Sequence, residues 1–101
     1  MGSIIIQSTT APSNAARSDL IAIARYGDEH FGAASSDRYR DQLTSHFELL
    51  ARQPLLFPAV DHIRQGYRRS ICGVHSVYYR IADDGVAIMR IIGRQDLRDD
   101  G

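Results

Sequence analysis

Six arginines and one histidine lie between Ile63 and Asp96: Arg64, Arg68, Arg69, Arg80, Arg90 and Arg94, with His75 among them. A guanidinium stays protonated at any working pH and presents a rigid fork of donors, so arginines hold anions well and move protons poorly. Histidine is the side chain whose ordinary pKa suits proton transfer near neutrality. Two chemistries follow. In one, His75 serves as a general acid or base while Arg64, Arg68 and Arg80 hold a charged substrate. In the other, which the turn residue Gly73 favours, His75 supports that turn or a core hydrogen bond and the arginines form a binding surface. Arginines two or four apart on a strand share a face, so Arg64 and Arg68 are expected to project together toward a partner, unless a bulge at Gly66 breaks the register. Arg80 and Arg90 are open to either role, facing a partner or pairing with Asp61, Asp96 or another nearby carboxylate.

Other site chemistries lack a pattern. His30, His46 and His62 show no metal-ligand spacing among themselves or with the single Cys72, and no glycine-rich phosphate loop is present. Neither a metal nor a cofactor is expected. Cys72, beside Gly73 in a strand-like run, reads as a small apolar residue, and one cysteine excludes a disulfide framework, which suits a reducing cytoplasm. The N-terminal MGSIIIQSTT has no basic segment and only three consecutive isoleucines, too few for a signal peptide or a membrane span.

The elements that must carry these residues are legible in the hydrophobic pattern. With 101 residues, the chain is expected to form a single domain, with a frayed end over about 97–101. Its zero formal charge conceals an asymmetry: Met1 to Asp61 holds five arginines against seven acids, and Ile63 to Arg98 seven arginines against three. All twelve cationic residues are arginine. Overall neutrality argues against direct nucleic-acid binding, since neutralising phosphates normally takes a net basic surface.

The isoleucines Ile4, Ile5 and Ile6 suit a first strand, and Thr9 to Ser13 a polar connector. A helix is expected from about Asn14 to His30, capped by Ser13, with Ala16, Leu20, Ile23, Ala24, Gly27 and Phe31 on one side and Arg17, Asp19, Arg25 and Asp28 on a solvated remainder. Gly27 permits close approach of a neighbour. After a connection over Ala33 to Ser36, a second helix runs from about Asp37 to Arg52 with the stripe Tyr39, Leu43, Phe47, Leu50 and Ala51, and Pro54 ends it. Alternation then predicts three strands: one through Ile63, Tyr67 and Ile71, one through Val77, Tyr79 and Ile81, and a last from Val86 to Ile92, apolar on both faces as a central strand is. Gly73 and the run Asp83, Asp84 and Gly85 form the turns.

Ala15–Asp96 resembles the RelE/ParE superfamily of type II toxin–antitoxin toxins, the ParE branch most closely. Asp19, Leu20, Tyr26, Phe31 and Gly32 match its first helix, and Tyr39, Leu43, Phe47, Leu50, Ala51 and Pro54 its second. Ile63, Arg64, Gly66, Tyr67, Arg68, Gly73, His75, Tyr79, Arg80, Arg90 and Ile91 match its strands, and Gly93, Arg94, Gln95 and Asp96 its close. Two features depart from the pattern: Pro12 precedes the place where many relatives carry a proline at the helix start, and Phe57-Pro58-Ala59-Val60 replaces a frequent glycine-arginine pair.

The resemblance implies an α+β fold, in which an N-terminal strand and a helical hairpin pack on an antiparallel-rich sheet of about four strands. It also implies a cytoplasmic toxin that inhibits DNA gyrase by trapping its cleaved-DNA complex, with Arg64, Arg68, Arg69, Arg80 and Arg94 as candidates for target contact. A ParD-like antitoxin would neutralise it by folding onto positions that flank the core, such as Leu49, Phe57 and Val60. DNA would be met only indirectly, through gyrase or the antitoxin. The RelE branch implies the alternative of a ribosome-dependent mRNA endoribonuclease. Relatives that cut use lysines and a histidine or tyrosine near the C-terminus; this chain has no lysine and neither residue after Tyr79. An attenuated homologue acting as a binding module is a third possibility.

Overall fold

The computed structural model describes residues 9–93. They run in the order β1 (Thr9–Pro12), α1 (Asn14–Phe31), α2 (Ala33–Arg52), β2 (Arg68–Cys72), β3 (His75–Ala82) and β4 (Gly85–Gly93). The four strands form one sheet in the order β1-β4-β3-β2, with β1 parallel to β4 and the other pairs antiparallel. This is the expected α+β arrangement, with β4 central. Ile4, Ile5 and Ile6, Arg94 and the chain end fall outside the described residues, and β1 is formed by residues 9–12, read from composition as a connector. As the last residue of an edge strand, Pro12 removes no interior ladder bond.

Ser13 begins α1 as expected: its hydroxyl accepts from Ala16 N at 3.0 Å. That hydroxyl also donates to Met89 O at 2.9 Å. Met89 is the extra residue of a β-bulge, since Tyr78 pairs with Arg90 and Tyr79 with Ile88. The helix cap therefore satisfies a carbonyl that the bulge turns out of the ladder.

Gly32 alone separates the helices, at φ 86° and ψ 159°. The expected connection over Ala33 to Ser36 is thus helical, because one residue in a conformation open to glycine suffices for the reversal. A Cβ on Gly27 would stand 2.7 Å from Ser36 Oγ, which confirms that glycine at this position allows the two helices to touch. Ala16, Leu43, Leu50 and Ala51 from the hairpin pack on Cys72, Val77, Tyr79, Val86, Ile88 and Ile91 from the sheet. The other sheet face carries no helix among the described residues. Phe31 departs from the expected stripe: it is 65% exposed.

The strand expected through Ile63 and Tyr67 begins only at Arg68. Val60 O accepts from both Ile63 N and Arg64 N, Asp61 Oδ1 accepts from Gly66 N at 2.7 Å, and Gly66 has φ 84°. A local turn satisfies these backbone groups, so residues 60–66 gain little from strand pairing. The connector is held to the sheet farther along, where Tyr79 Oη donates to Pro54 O at 2.7 Å and Arg69 N to Pro58 O at 3.1 Å.

One carboxylate joins α1 to the central strand. β1 pairs with β4 only as far as Ile88, which leaves the outer edge of the following residues without a strand neighbour. Asp19 Oδ2 accepts from Ile91 N at 2.9 Å and from Arg90 Nε at 2.7 Å, and its Oδ1 accepts from Arg90 Nη2 at 3.0 Å. Asp19 was assigned above to a solvated face; its side chain is only 15% exposed because it takes up this edge amide and a bidentate guanidinium. Arg90 in turn holds its proton more tightly than usual, chiefly through the hydrogen bond to Asp19.

Two expectations follow. Asp19→Ala removes charge-assisted bonds from a strand edge and is expected to cost about 2 kcal/mol in urea denaturation, with Asp19→Asn intermediate because an amide oxygen still accepts from Ile91 N. His46 Nε2 lies 2.7 Å from Ser70 Oγ, and burial holds its pKa below the ordinary 6.5. The folded state thus favours neutral imidazole, so this contribution is complete above about pH 6.5 and is lost as pH falls toward the depressed folded value. His46→Gln should flatten the fall in stability between about pH 7 and pH 5 relative to wild type; equal slopes for the two proteins would refute the role.

Candidate functional site

The structure separates the residues that the sequence placed near one another. His75 opens β3 opposite Cys72 and Gly93, on the helix-covered face with Val77. Tyr39 Oη of α2 donates to Cys72 O at 2.9 Å and lies 2.8 Å from His75 Nδ1. A phenol has one proton, already given to the carbonyl, so the second bond requires His75 Nδ1–H to donate to the phenol oxygen. Burial raises the Tyr39 pKa, which keeps the phenol protonated for this task. The imidazole is thereby engaged beneath the Gly73 turn. Cys72 is buried, and burial raises its thiol pKa, so it is a core residue with little thiolate character.

The arginines divide among three environments. Arg64 sits in the turn before β2 with its guanidinium carbon 5.7 Å from the centre of the Tyr67 ring. Arg68 pairs with Tyr79 and donates from Nη1 to Phe57 O at 2.5 Å, so it braces the connector. Arg64 and Arg68 consequently share no strand face, contrary to the simple alternation. Arg69 pairs with Tyr78, and Tyr78 with Arg90, so the three leave the backbone on the face turned away from the helices, but Tyr78 is 1% exposed and the Arg90 guanidinium turns to Asp19 of α1. Arg80, exposed and opposite Ala87, projects from the same face. Arg90 is paired with Asp19, and Arg94 lies outside the described residues.

The three expected antitoxin contacts also differ. Leu49 and Phe57 are partly exposed, with Phe57 packed against the core and beside the His46 ring at 5.7 Å. Val60 is 4% exposed, so its side chain fills the chain's own interior and offers a partner almost no surface. An apolar surface not foreseen from sequence lies elsewhere. A groove of about 1060 Å³ runs between the helical hairpin and the end of β4, lined by Ile23, Tyr26, Phe31, Val74, Ile91 and Ile92 among others. Tyr26, Phe31 and Val74 are 56%, 65% and 67% exposed, far more than single surface residues require. Tyr26 also stacks on His30 at 3.9 Å, and His30 Nδ1–H donates to Tyr26 O. The signal available in the sequence was the end of the α1 stripe, Ile23, Gly27 and Phe31, which periodicity placed on one side of the helix with Ala16 and Leu20.

Among the described residues, no group of three or more histidine, cysteine or acidic side chains is placed to hold a metal ion. Likewise, no helix among them is long and apolar enough to cross a membrane.

Comparison with known proteins agrees with this geometry. Residues 11–98 match the family model described as the ParE toxin of the type II toxin–antitoxin system parDE. Toxin ParE1 of Caulobacter vibrioides is 31% identical over 80 residues, which cover 79% of this chain and 82% of that protein. Toxin ParE1 of Mycobacterium tuberculosis is 28% identical over 81 residues, covering 79% and 83%. Among solved structures, a chain of the chromosomal ParDE TA system from P. aeruginosa superposes with a TM-score of 0.74 at 15% identity, covering 88% of this chain and 98% of that one.

The turn beneath which Tyr39 and His75 meet can be tested by paired substitutions. Gly73 has φ 60°, and a Cβ there would stand 2.6 Å from the Tyr39 ring, whereas Gly66 has φ 84° with open space around it. Gly66→Ala should therefore cost only the left-handed backbone strain. Gly73→Ala should cost that strain and the displacement of Tyr39 as well, an excess of about 1–3 kcal/mol by urea denaturation. Equal losses would mean that the Tyr39 packing is not constraining.

Proposed function

Because the chain belongs to the ParE toxin family of type II toxin–antitoxin systems, we propose that it arrests growth by binding DNA gyrase and trapping the cleaved-DNA complex. Binding rather than catalysis is supported by one observation above all. Arg69 and Arg80 leave the sheet on the face opposite the helices, while His75 is engaged with Tyr39 on the helix-covered face. A proton-transfer group and the cations that would hold a phosphate in a transition state must converge on one reacting centre, and these do not. Arg69 and Arg80 are the candidate target contacts.

Neutralisation falls to a ParD-like antitoxin in the cytoplasm. A segment disordered in isolation, with apolar side chains at intervals, gains its folding energy from apolar surface supplied by a partner. The groove beside β4 supplies such surface through Tyr26, Phe31 and Val74. Leu49 and Phe57, both partly exposed, remain candidate contacts along the hairpin and connector.

Expression of the chain alone is expected to stop growth, and co-expression with its cognate antitoxin to restore it. Purified protein should inhibit gyrase supercoiling and accumulate cleaved DNA, and His75→Ala should do the same wherever circular dichroism shows it folded. Were His75 a general acid or base, its loss would reduce activity by about 10²–10⁴-fold. Ribosome-dependent mRNA cleavage by wild type, abolished in folded His75→Ala, would replace this reading with the ribonuclease one.

A further inference from the structure

We propose that the loop 54–58 is the element that grips DNA gyrase, with Leu55 and Leu56 entering an apolar pocket whose rim carries carboxylates. Residues 53–58 read Gln-Pro-Leu-Leu-Phe-Pro, and the three apolar side chains between the prolines divide. Phe57 packs on the core beside the His46 ring, whereas Leu55 and Leu56 stand 70% and 55% exposed. A leucine exposed singly needs no explanation; an adjacent pair on a fixed loop does.

The loop is held from several sides, so the leucines are presented and not merely slack. Leu56 N donates to Gln53 O at 3.1 Å, closing a turn with Pro54 at its second position, where a fixed φ favours the turn. Tyr79 Oη donates to Pro54 O, Arg68 Nη1 to Phe57 O and Arg69 N to Pro58 O. Carbonyls on both sides of the leucine pair are thus tied to β2 and β3. A loop ordered in advance loses little conformational freedom when a partner closes over it.

Charge and continuity indicate the partner. No carboxylate lies between Gln53 and Val60, while Arg52 is exposed at the end of α2 and the Arg68 guanidinium sits against the Phe57 carbonyl. The complement is an apolar recess with acidic groups around it, which a protein surface supplies and a phosphate backbone does not. The loop also adjoins Arg69, a candidate target contact, through the bond to Pro58 O. The groove offered to the antitoxin meets α2 elsewhere, at Ser35, Ser36 and Tyr39. From Tyr39 to Arg52 the helix rises about 20 Å, which sets the two surfaces toward opposite ends of α2. The inference rests on the gyrase reading for the identity of the partner.

The test is supercoiling of relaxed plasmid by purified DNA gyrase with the full chain as inhibitor, alongside affinity for the cognate antitoxin measured on the same preparations. Leu55→Ser and Leu56→Ser should each raise the concentration for half inhibition by about tenfold or more. Both should keep antitoxin affinity within about twofold of wild type, which also shows that they are folded. Ile21→Ser, a matching change at an exposed aliphatic side chain of α1, should alter neither. Arg52→Glu reverses the flanking charge and should weaken inhibition as well; unchanged inhibition would overturn the acidic rim. Undiminished inhibition by both leucine variants would remove the loop as the contact and leave the gyrase reading in place. An equal loss of inhibition and of antitoxin affinity would make the loop an antitoxin surface instead, and leucine-dependent binding to phosphatidylglycerol vesicles with inhibition intact would assign it to lipid. Wild type that fails to inhibit gyrase at all would remove the gyrase reading and this contact with it.

Discussion

The edge of β4 beyond Ile88 is where this fold is most exposed to failure. β1 is too short to cover the whole length of the central strand, and an unpaired strand edge invites pairing with other chains. Asp19 closes part of that edge by accepting the Ile91 amide and the Arg90 guanidinium together. Ser13, at the start of the same helix, takes the bulge carbonyl of Met89. A side chain of α1 and that of its N-cap therefore substitute for the missing strand, and the helix is fixed against the sheet by polar groups whose geometry is more exacting than apolar contact.

The same docking separates the chain's polar chemistry into two territories. On the helix-covered face, polar groups are consumed internally: Tyr39 with Cys72 O and His75, His46 with Ser70, and Tyr79 with Pro54 O. Low dielectric makes unsatisfied polar groups costly there, so each bond specifies the arrangement of its elements. On the opposite face Arg80 is exposed and Arg69 partly so, whereas Tyr78 and Ser76 are buried.

Gly27 and Gly73 illustrate a second constraint. At each, a Cβ would intrude on a partner from another element, Ser36 Oγ in one case and the Tyr39 ring in the other. The glycines set how closely α1 approaches α2 and how closely α2 approaches the β2–β3 turn. Only the first was foreseen as a close approach, because Gly27 lies on an apolar helix face. Gly73 sits in a turn, where its left-handed φ is reason enough for glycine and masks the packing reason.

What the sequence alone determined was whatever depends on local periodicity and chain chemistry: the two helices, the Ser13 cap, the central character of β4, the Gly73 and Asp83-Asp84 turns, and the burial of Leu43, Leu50 and Cys72. Tertiary structure decided the rest. The strand expected through Ile63 became a turn because Asp61 and Val60 satisfied its backbone locally, and residues 9–12 became a strand because β4 had an edge to offer. Asp19 looked like a solvated carboxylate because its partner, Arg90, is 71 residues away, beyond the range of any helical spacing. Phe31 matched the helix stripe yet stands exposed, and Val60 appeared to flank the core yet fills it. Periodicity identifies which residues share a side of an element; what that side meets is set by how the elements pack, and in this chain that packing turned one end of an apolar stripe into a groove and brought Asp19 of α1 to Arg90 of β4.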